Sequence, residues 1–408
     1  MNLLPVVIFI TTVVLVFGGS HGNKGRSSSD IAEDAELDTA GLLTKYGYPN
    51  EVHTVVTEDG FILTVHRIPH LQGEDPQLTR PVVFLMHGLL SSSADWVNMG
   101  PGNGLGYLLA DEGYDVWMGN ARGNTYSRKH VFLNPDTDVK FWRFSWNEIG
   151  YYDLPAMIDY VLAKTAVPQL HYVGHSQGTT TFFVMCSRKE EYNDKFKSMN
   201  ALAPMANMTE SQSPLLNFLA PITNTSTSEL LSTLIGTNEF LPSTELMSIA
   251  EDLLCKDNAA FQPVCSNILF LLCGFNPDVL NTTMLPIMLA HTPAGASSRL
   301  ITHYGQEHQS ARFCDYDHGY VFNVLEYGSA IPPEYLPQNI TAPVALHYAV
   351  GDWMANPLEV LRLYEELGNP DGIYLIDHPT FNHLDFLWAT DVKSLVYDNV
   401  IRLMKARD

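Results

Sequence analysis

The chain has 408 residues, and this length corresponds to roughly two to three domains of average size. Apolar residues make up 46% of it, enough for a large core, so disorder as a general description is excluded. With 45 acidic against 23 basic side chains the net charge is −22, which repels phosphate backbones and anionic membranes and leaves uncharged lipids and small substrates as partners.

The first residues have the pattern of a secretory signal. Residues 6–17, VVIFITTVVLVF, are an uncharged run that is too short to span a bilayer comfortably, and the small residues of 18–20 follow it. We therefore predict a signal peptide over 1–20, a flexible leader over 21–44, and a mature protein that is secreted or lysosomal. A buried strand or a signal anchor is the alternative for the apolar run.

Sequons and cysteines fit an oxidising compartment. Four N-x-Ser/Thr sequons are expected glycosylation sites, and they are Asn207, Asn224, Asn281 and Asn339. The five cysteines are an odd number, so at least one is free or pairs between chains. Cys255 and Cys265 would close a short loop and are the expected disulfide. No CxxC pair and no HExxH motif occurs, so we expect neither a metal nor an organic cofactor.

Strands and helices alternate from about residue 50. HTVVT and FILTVHRI are predicted strands joined by the turn EDG, which indicates a hairpin. The segments that follow are predicted as strand 81–86, helix 104–114, strand 114–119, helix 152–165, strand 169–174 and helix 179–192. These strands are apolar on both faces, which is typical of a parallel sheet covered by helices on both sides.

The alternation stops after about residue 204 and resumes near the C-terminus. Residues from about 205 to 335 show no regular pattern, and their apolar stretches either line a tunnel or a lid or form the core of an ordinary helical subdomain. The later segments are predicted as strand 343–351, helix 358–368, strand 372–376 and helix 394–406. We predict one α/β domain with a mostly parallel central sheet, interrupted by a mainly helical insertion.

A G-x-S-x-G motif, GHSQG at 174–178, follows a predicted strand and opens a helix, which is the setting of the nucleophile elbow of α/β-hydrolases. The tight turn strains the serine backbone, and the glycines let strand and helix approach closely. It predicts Ser176 as nucleophile and the Gln177 N–H as one oxyanion donor. The Leu89 N–H, in the turn HGL after strand 81–86, is the expected second donor. The alternative for Ser176 is a serine that only caps the helix, and the alternative for HGL is an ordinary turn.

The chain order of this fold places an acid after the nucleophile and a histidine last. Asp352 directly follows the predicted strand 343–351, and both His378 and His383 follow the next strand. Order and position leave the choice between the two histidines open. Asp377 is a rival acid, but it lies too close in sequence to both histidines to come from the preceding strand.

Eight segments along most of the chain resemble the acid lipase family, α/β-hydrolases that include gastric and lysosomal acid lipases and many insect relatives. They are GYPNEVHTVVTEDGFILTVHRIP (47–69), HGLLSSSADWV (87–97), GYDVWMGNARGNTYSRKH (113–130), FWRFSWNEIGYYDLPAMIDY (141–160), GHSQG (174–178), ALAP (201–204), NPLEV (356–360) and NHLDF (382–386). The family's usual LADP segment is MANP at 354–357 here, and because Asp352 precedes it the expected triad is unaffected.

The resemblance implies roles for particular residues. It implies a triad of Ser176 as nucleophile, Asp352 as acid and His383 as base, with Leu89 and Gln177 as oxyanion donors. It also implies a Cys255–Cys265 disulfide with Cys273 free. Finally, it implies an α/β-hydrolase core over 45–206 and 337–408, and a cap over 207–336 whose lid covers the serine.

These features together predict a lipase that cleaves fatty-acid esters, triacylglycerols or cholesteryl esters, through an acyl-enzyme at lipid–water interfaces. No cofactor and no obligate protein partner is expected. One alternative is a carboxylesterase of shorter or soluble esters. The other is a non-catalytic lipid-binding protein on a hydrolase scaffold, which would typically lack a triad member.

Overall fold

The computed structural model describes residues 26–76, 78–223, 234–236, 238–240 and 268–408. The expected signal peptide, the Cys255–Cys265 disulfide and the Asn224 sequon lie outside these residues. Within them the strands form one sheet of eight. The strands are β1 Glu51–Val56, β2 Ile62–Ile68, β3 Val82–Met86, β4 Asp115–Met118, β5 Leu170–His175, β6 Phe196–Leu202, β7 Val344–Tyr348 and β8 Pro370–Leu375.

The described helices surround this sheet and fill the stretch between β6 and β7. They are α1 Ser28–Glu36, α2 Thr39–Lys45, α3 Leu105–Asp111, α4 Trp146–Glu148, α5 Leu154–Thr165, α6 Gln177–Arg188, α7 Pro214–Leu219, α8 Ile268–Cys273, α9 Leu285–His291, α10 Ser298–Ser310, α11 Tyr320–Tyr327, α12 Pro357–Glu366, α13 Asp385–Trp388 and α14 Asp398–Lys405. Short π-helical segments, Ile149–Asp153 and Lys393–Tyr397, lead into α5 and α14.

The strand order is β1-β2-β4-β3-β5-β6-β7-β8, and it confirms the predicted sheet. β1 and β2 form the predicted antiparallel hairpin, β2 pairs antiparallel with β4, and every pair from β4 to β8 is parallel. β3, β4 and β5 are buried along their whole length, as expected for strands with helices packed against them. The apolar runs of the sequence therefore mark the centre of the sheet.

The strand β6 was not predicted, because polar residues interrupt its apolar pattern. Ser198 and Asn200 are buried in it. The Ser198 hydroxyl lies 2.8 Å from His171 Nδ1 on β5, and Asn200 Oδ1 lies 3.2 Å from His347 Nε2 on β7. These pairs give each buried polar side chain of the strand a partner on a neighbouring strand, although the Asn200 Nδ2 itself has none among the described residues, and the segment joins the core despite its composition.

The prediction of a flexible leader over 21–44 is wrong for residues 28–44, which form α1 and most of α2. Ser27 and Asp38 cap the two helices through their side-chain oxygens, and Leu42 is fully buried. The acidic stretch contributes Asp34, whose buried carboxylate pairs with Arg26 and Lys45. The polar composition thus encodes caps and an ion-pair network rather than flexibility.

The stretch between β6 and β7 forms α7 to α11, and its described residues contain no strand. Every residue of α8 is buried, so this apolar segment packs inside the protein. The boundaries of the predicted core and cap stay a prediction. In the part of the chain that the structure describes, no helix is long and apolar enough to span a membrane.

Candidate active site

The predicted nucleophile stands in a strained turn. β5 ends at His175, α6 begins at Gln177, and Ser176 between them has φ 53° and ψ −122°, a conformation that costs energy for any residue with a Cβ. A Cβ on Gly178 would lie 2.3 Å from the Met86 carbonyl oxygen on β3, and one on Gly174 would lie 2.8 Å from Gly178. Both motif glycines are therefore required by the close approach of strand and helix.

Three side chains from separate loops meet at the carboxyl ends of the parallel strands. His383 Nε2 lies 2.6 Å from Ser176 Oγ, and His383 Nδ1 lies 2.8 Å from Asp352 Oδ2 and 3.0 Å from Oδ1. All three residues are buried. A hydroxyl, an imidazole and a carboxylate in this order have the arrangement of a serine-hydrolase triad, and the catalytic roles of the three residues stay a prediction.

The loop after β7 fixes the carboxylate. Asp352 Oδ1 accepts hydrogen bonds from the N–H groups of Met354 and Ala355, each at 2.8 Å. The rival residues of the sequence lie elsewhere: Asp377 is exposed, and the His378 ring nitrogen faces Thr380. Of the two histidines left open by chain order, the structure therefore brings His383 to the serine.

The turn that holds His383 was missed by the sequence analysis. Asn382 Oδ1 accepts from the N–H groups of Leu384 and Asp385, while Asp385 Oδ2 accepts from the Asn382 N–H at 2.7 Å. This reciprocal pattern is that of a capping box, and its spacing, N-x-x-D, was visible in the sequence. Burial raises the pKa of the Asp385 carboxyl to about 7.

His87 braces the turn that contains Leu89. Its Nε2 accepts a hydrogen bond from the Ala121 N–H at 3.1 Å, so the proton is on Nδ1, which donates to the Gly88 carbonyl at 2.8 Å. Burial lowers the pKa of His87 to about 4, which keeps the ring neutral. In the described part of the chain no protein acceptor binds the N–H of Leu89 or Gln177. Their role as oxyanion donors stays a prediction.

A narrow cavity of about 20 Å³ lies at Ser176. Its apolar wall consists of Leu269, Leu272, Met354, Leu384, Leu387 and Trp388. Met205 Sδ approaches Ser176 Oγ to 3.2 Å. Asp95, accepting from the Ser91 hydroxyl, forms a polar end, and burial raises the pKa of this carboxyl to about 7. The mostly apolar lining of this cavity suits an aliphatic chain better than a charged ligand.

The other predicted features are distributed around this site. Cys273, expected to be free, is free and lines the cavity. Asn207, Asn281 and Asn339 are partly exposed, and their glycosylation stays a prediction. Asn356, the departure from the usual family segment, accepts from the Leu358 N–H and caps α12. Among the described residues no group of three or more metal-ligating side chains is arranged to hold a metal ion.

Comparisons with known proteins identify the family of this chain. Residues 81–390 match the family model of the alpha/beta hydrolase fold, and residues 39–100 match a partial alpha/beta-hydrolase lipase region. Lipase 3 of Drosophila melanogaster is 45% identical over 403 residues, which cover 99% of this chain and 98% of that protein. The chain belongs to the acid lipase family of α/β-hydrolases.

Mammalian members of the family are nearly as similar. The gastric triacylglycerol lipase of Rattus norvegicus is 39% identical, with 98% of this chain and 99% of that protein covered. The lysosomal acid lipase/cholesteryl ester hydrolase of Homo sapiens is 36% identical, with 95% of each chain covered. This acid lipase is therefore a carboxylic-ester hydrolase, as the sequence segments predicted, and a non-catalytic role is not supported.

Proposed function

We propose that this acid lipase hydrolyses fatty-acid esters of neutral lipids, triacylglycerols or cholesteryl esters, with Ser176, His383 and Asp352 as its triad. The observation that carries the proposal is the hydrogen-bonded row from carboxylate to hydroxyl, which ends at an apolar cavity. The names of the relatives support the two substrate classes and a secreted or lysosomal location. The net charge of −22 favours uncharged substrates.

Acylation begins when Ser176 Oγ attacks the ester carbonyl carbon and His383 Nε2 takes the hydroxyl proton. Asp352 keeps the proton on Nδ1 and stabilises the imidazolium that forms. The N–H groups of Leu89 and Gln177 hold the tetrahedral oxyanion, and such donors are typically worth about 2.7–4 kcal/mol each. His383 then protonates the leaving alkoxide, which releases the alcohol and leaves the acyl chain on Ser176.

Deacylation repeats the sequence with water as the nucleophile. His383 Nε2 takes a proton from water, the hydroxide attacks the acyl carbonyl, and the second tetrahedral intermediate expels Ser176 Oγ. His383 returns its proton to the serine oxygen, and the fatty acid leaves. During both steps the aliphatic chain lies along the leucines of the cavity wall, where burial of its methylenes stabilises the complex.

A comparison of Ser176→Ala with a matched variant, Ser187→Ala, tests the proposal. Ser187 is a buried serine near the end of α6, the helix that follows Ser176, and its hydroxyl donates to the Val184 carbonyl. Ser176→Ala should lose all turnover of emulsified triolein, cholesteryl oleate and soluble p-nitrophenyl butyrate, while Ser187→Ala keeps it. A fluorophosphonate should label Ser176, as located by peptide mass spectrometry.

The outcomes separate the candidate functions. Absence of label on Ser176 in folded protein would contradict the proposed triad. Turnover of p-nitrophenyl butyrate without turnover of either emulsion would replace the lipase assignment by a carboxylesterase of soluble esters. Turnover of one emulsion only would identify the preferred substrate class.

A further inference from the structure

Helix α11 carries its apolar side chains on the outside. Tyr320, Val321, Phe322 and Leu325 are 72%, 64%, 65% and 77% exposed, and Val324 is 43% exposed. Residues three and four positions apart share a helix face, so the pairs 320/324, 321/324, 321/325 and 322/325 join these side chains into one continuous surface. We call Tyr320, Val321, Phe322, Val324 and Leu325 the outer face of α11. An apolar helix face normally points into the core, and here it points to solvent.

A polar contact anchors the inner side of the same helix. Asn323 is its buried residue, and its Nδ2 donates to Asp317 Oδ1 at 2.7 Å and to the Ala330 carbonyl at 3.1 Å. Its Oδ1 accepts from the His318 N–H at 2.8 Å. The orientation of α11 is therefore fixed by satisfied hydrogen bonds, and the apolar face is held outward rather than exposed by fraying.

A second set of contacts, through Tyr327 and Tyr316, connects α11 to α10, the helix whose Tyr304 lines the cavity. The Tyr327 hydroxyl donates to the Tyr316 carbonyl, and the Tyr316 ring contacts the His303 ring at 5.3 Å. His303 lies on α10 beside Tyr304, which lines the cavity at Ser176. The outer face thus belongs to the same helical stretch as Tyr304, a residue that lines the cavity at Ser176.

The small area of the outer face and its lack of basic residues indicate which kind of partner it can bind. An eight-residue helix is about 12 Å long and about 10 Å wide, so its face is far below the roughly 800 Å² that each partner of a stable protein interface buries. Residues 319–333 contain one charged side chain, Glu326, in a chain of net charge −22. An anionic surface would be repelled, and no basic residue is present to bind one.

We propose that the outer face of α11 inserts into the uncharged surface of a lipid particle and so holds the enzyme at its substrate. Tyrosine and phenylalanine beside aliphatic side chains are the composition that prefers a lipid–water interface. The proposal rests on the proposed function, because only an enzyme of water-insoluble esters gains from such a contact.

A pair of double variants tests it. Phe322→Ser with Leu325→Ser removes two side chains of the outer face. Phe132→Ser with Leu358→Ser is the matched control, since these residues are 89% and 54% exposed and lie outside α11. Flotation with vesicles of phosphatidylcholine and triolein measures binding, and turnover of triolein emulsion and of soluble p-nitrophenyl butyrate is measured in parallel.

The α11 variant should bind the vesicles at least tenfold more weakly and lose triolein turnover in proportion, with unchanged turnover of the soluble ester. The control should behave as the unmodified protein does. Unchanged flotation of the α11 variant overturns the proposal, and a dimer that becomes a monomer in that variant would assign the face to a second copy. Absence of turnover of both esters by the unmodified protein would instead contradict the proposed function, and flotation would still test the lipid contact because it does not depend on turnover.

Discussion

Replacing Asp352 by Asn should disable the base without disturbing the loop. Asp352 Oδ1 binds two backbone N–H groups, and Oδ2 faces His383 Nδ1 at 2.8 Å. In the variant the amide oxygen keeps the two backbone donors, so the amide N–H₂ is directed at Nδ1. Nδ1 must then accept, which moves the imidazole proton to Nε2. His383 with a proton on Nε2 cannot take the proton of Ser176.

The size of the loss follows from this tautomer change. The corresponding substitution in a serine protease triad costs roughly 10⁴-fold in kcat, which is about 5 kcal/mol of transition-state stabilisation. We expect a similar loss here with KM nearly unchanged, because no substrate contact of the cavity is altered. The assay is kcat for p-nitrophenyl butyrate, a soluble ester, so that lipid binding does not contribute.

Asp377→Asn is the control, because Asp377 is the rival acid in the sequence and is exposed in the structure. It should keep full activity, and the rate of fluorophosphonate labelling of Ser176 should fall only in Asp352→Asn. More than a few per cent of kcat remaining in a folded Asp352→Asn variant would refute the tautomer argument. An equal loss in Asp377→Asn would show that the wrong carboxylate has been assigned.

Three further predictions concern buried ionisable side chains, namely Asp95, Asp385 and the Arg122–Asp153 pair. The pKa of the Asp95 carboxyl is raised from 3.8 to about 7 by burial, so between these pH values the folded protein holds a proton that the unfolded chain has lost. The free energy of unfolding therefore falls as pH rises from 4 to 7. Asp95→Asn should gain stability relative to the unmodified protein over this range, by about 4 kcal/mol at most, in urea unfolding. Asp385→Leu should lower kcat at least tenfold by releasing Asn382, with KM little changed, whereas Asp385→Asn retains an acceptor and most activity. Arg122→Leu should cost about 3–5 kcal/mol in urea unfolding, because it leaves Asp153 buried without its partner, and adding Asp153→Asn should recover part of the loss.

Local patterns carried most of the fold prediction. The β1–β2 hairpin and the elbow at Ser176 are both encoded within a few consecutive residues, by a turn in the first case and by glycine spacing in the second. Neither needs information from distant parts of the chain. The sheet centre was equally accessible at β3, which is buried on both faces and has a continuously apolar sequence.

The elements that sequence reasoning missed depend on contacts between distant segments. β6 joins the core because its polar side chains Ser198 and Asn200 pair with His171 and His347 on the two neighbouring strands. α1 is ordered because Arg26 and Lys45 neutralise its buried Asp34, and because it packs against α9. In each case the composition of the segment reveals its polar residues but not the distant residues that pair with them. It is this pairing that allows the polar residues to be buried.

The choice between His378 and His383 illustrates a local signal that residue reasoning left unused. Pro379 follows His378 directly, and a residue before proline is disfavoured in helical conformation. His383 instead lies between Asn382 and Asp385, at the spacing of a reciprocal cap that leads into α13. The backbone on both sides of His383 is thus held by side-chain caps, and its ring meets Asp352 and Ser176. The N-x-x-D spacing, rather than distance along the chain from the strand, is the local signal that distinguishes the two histidines.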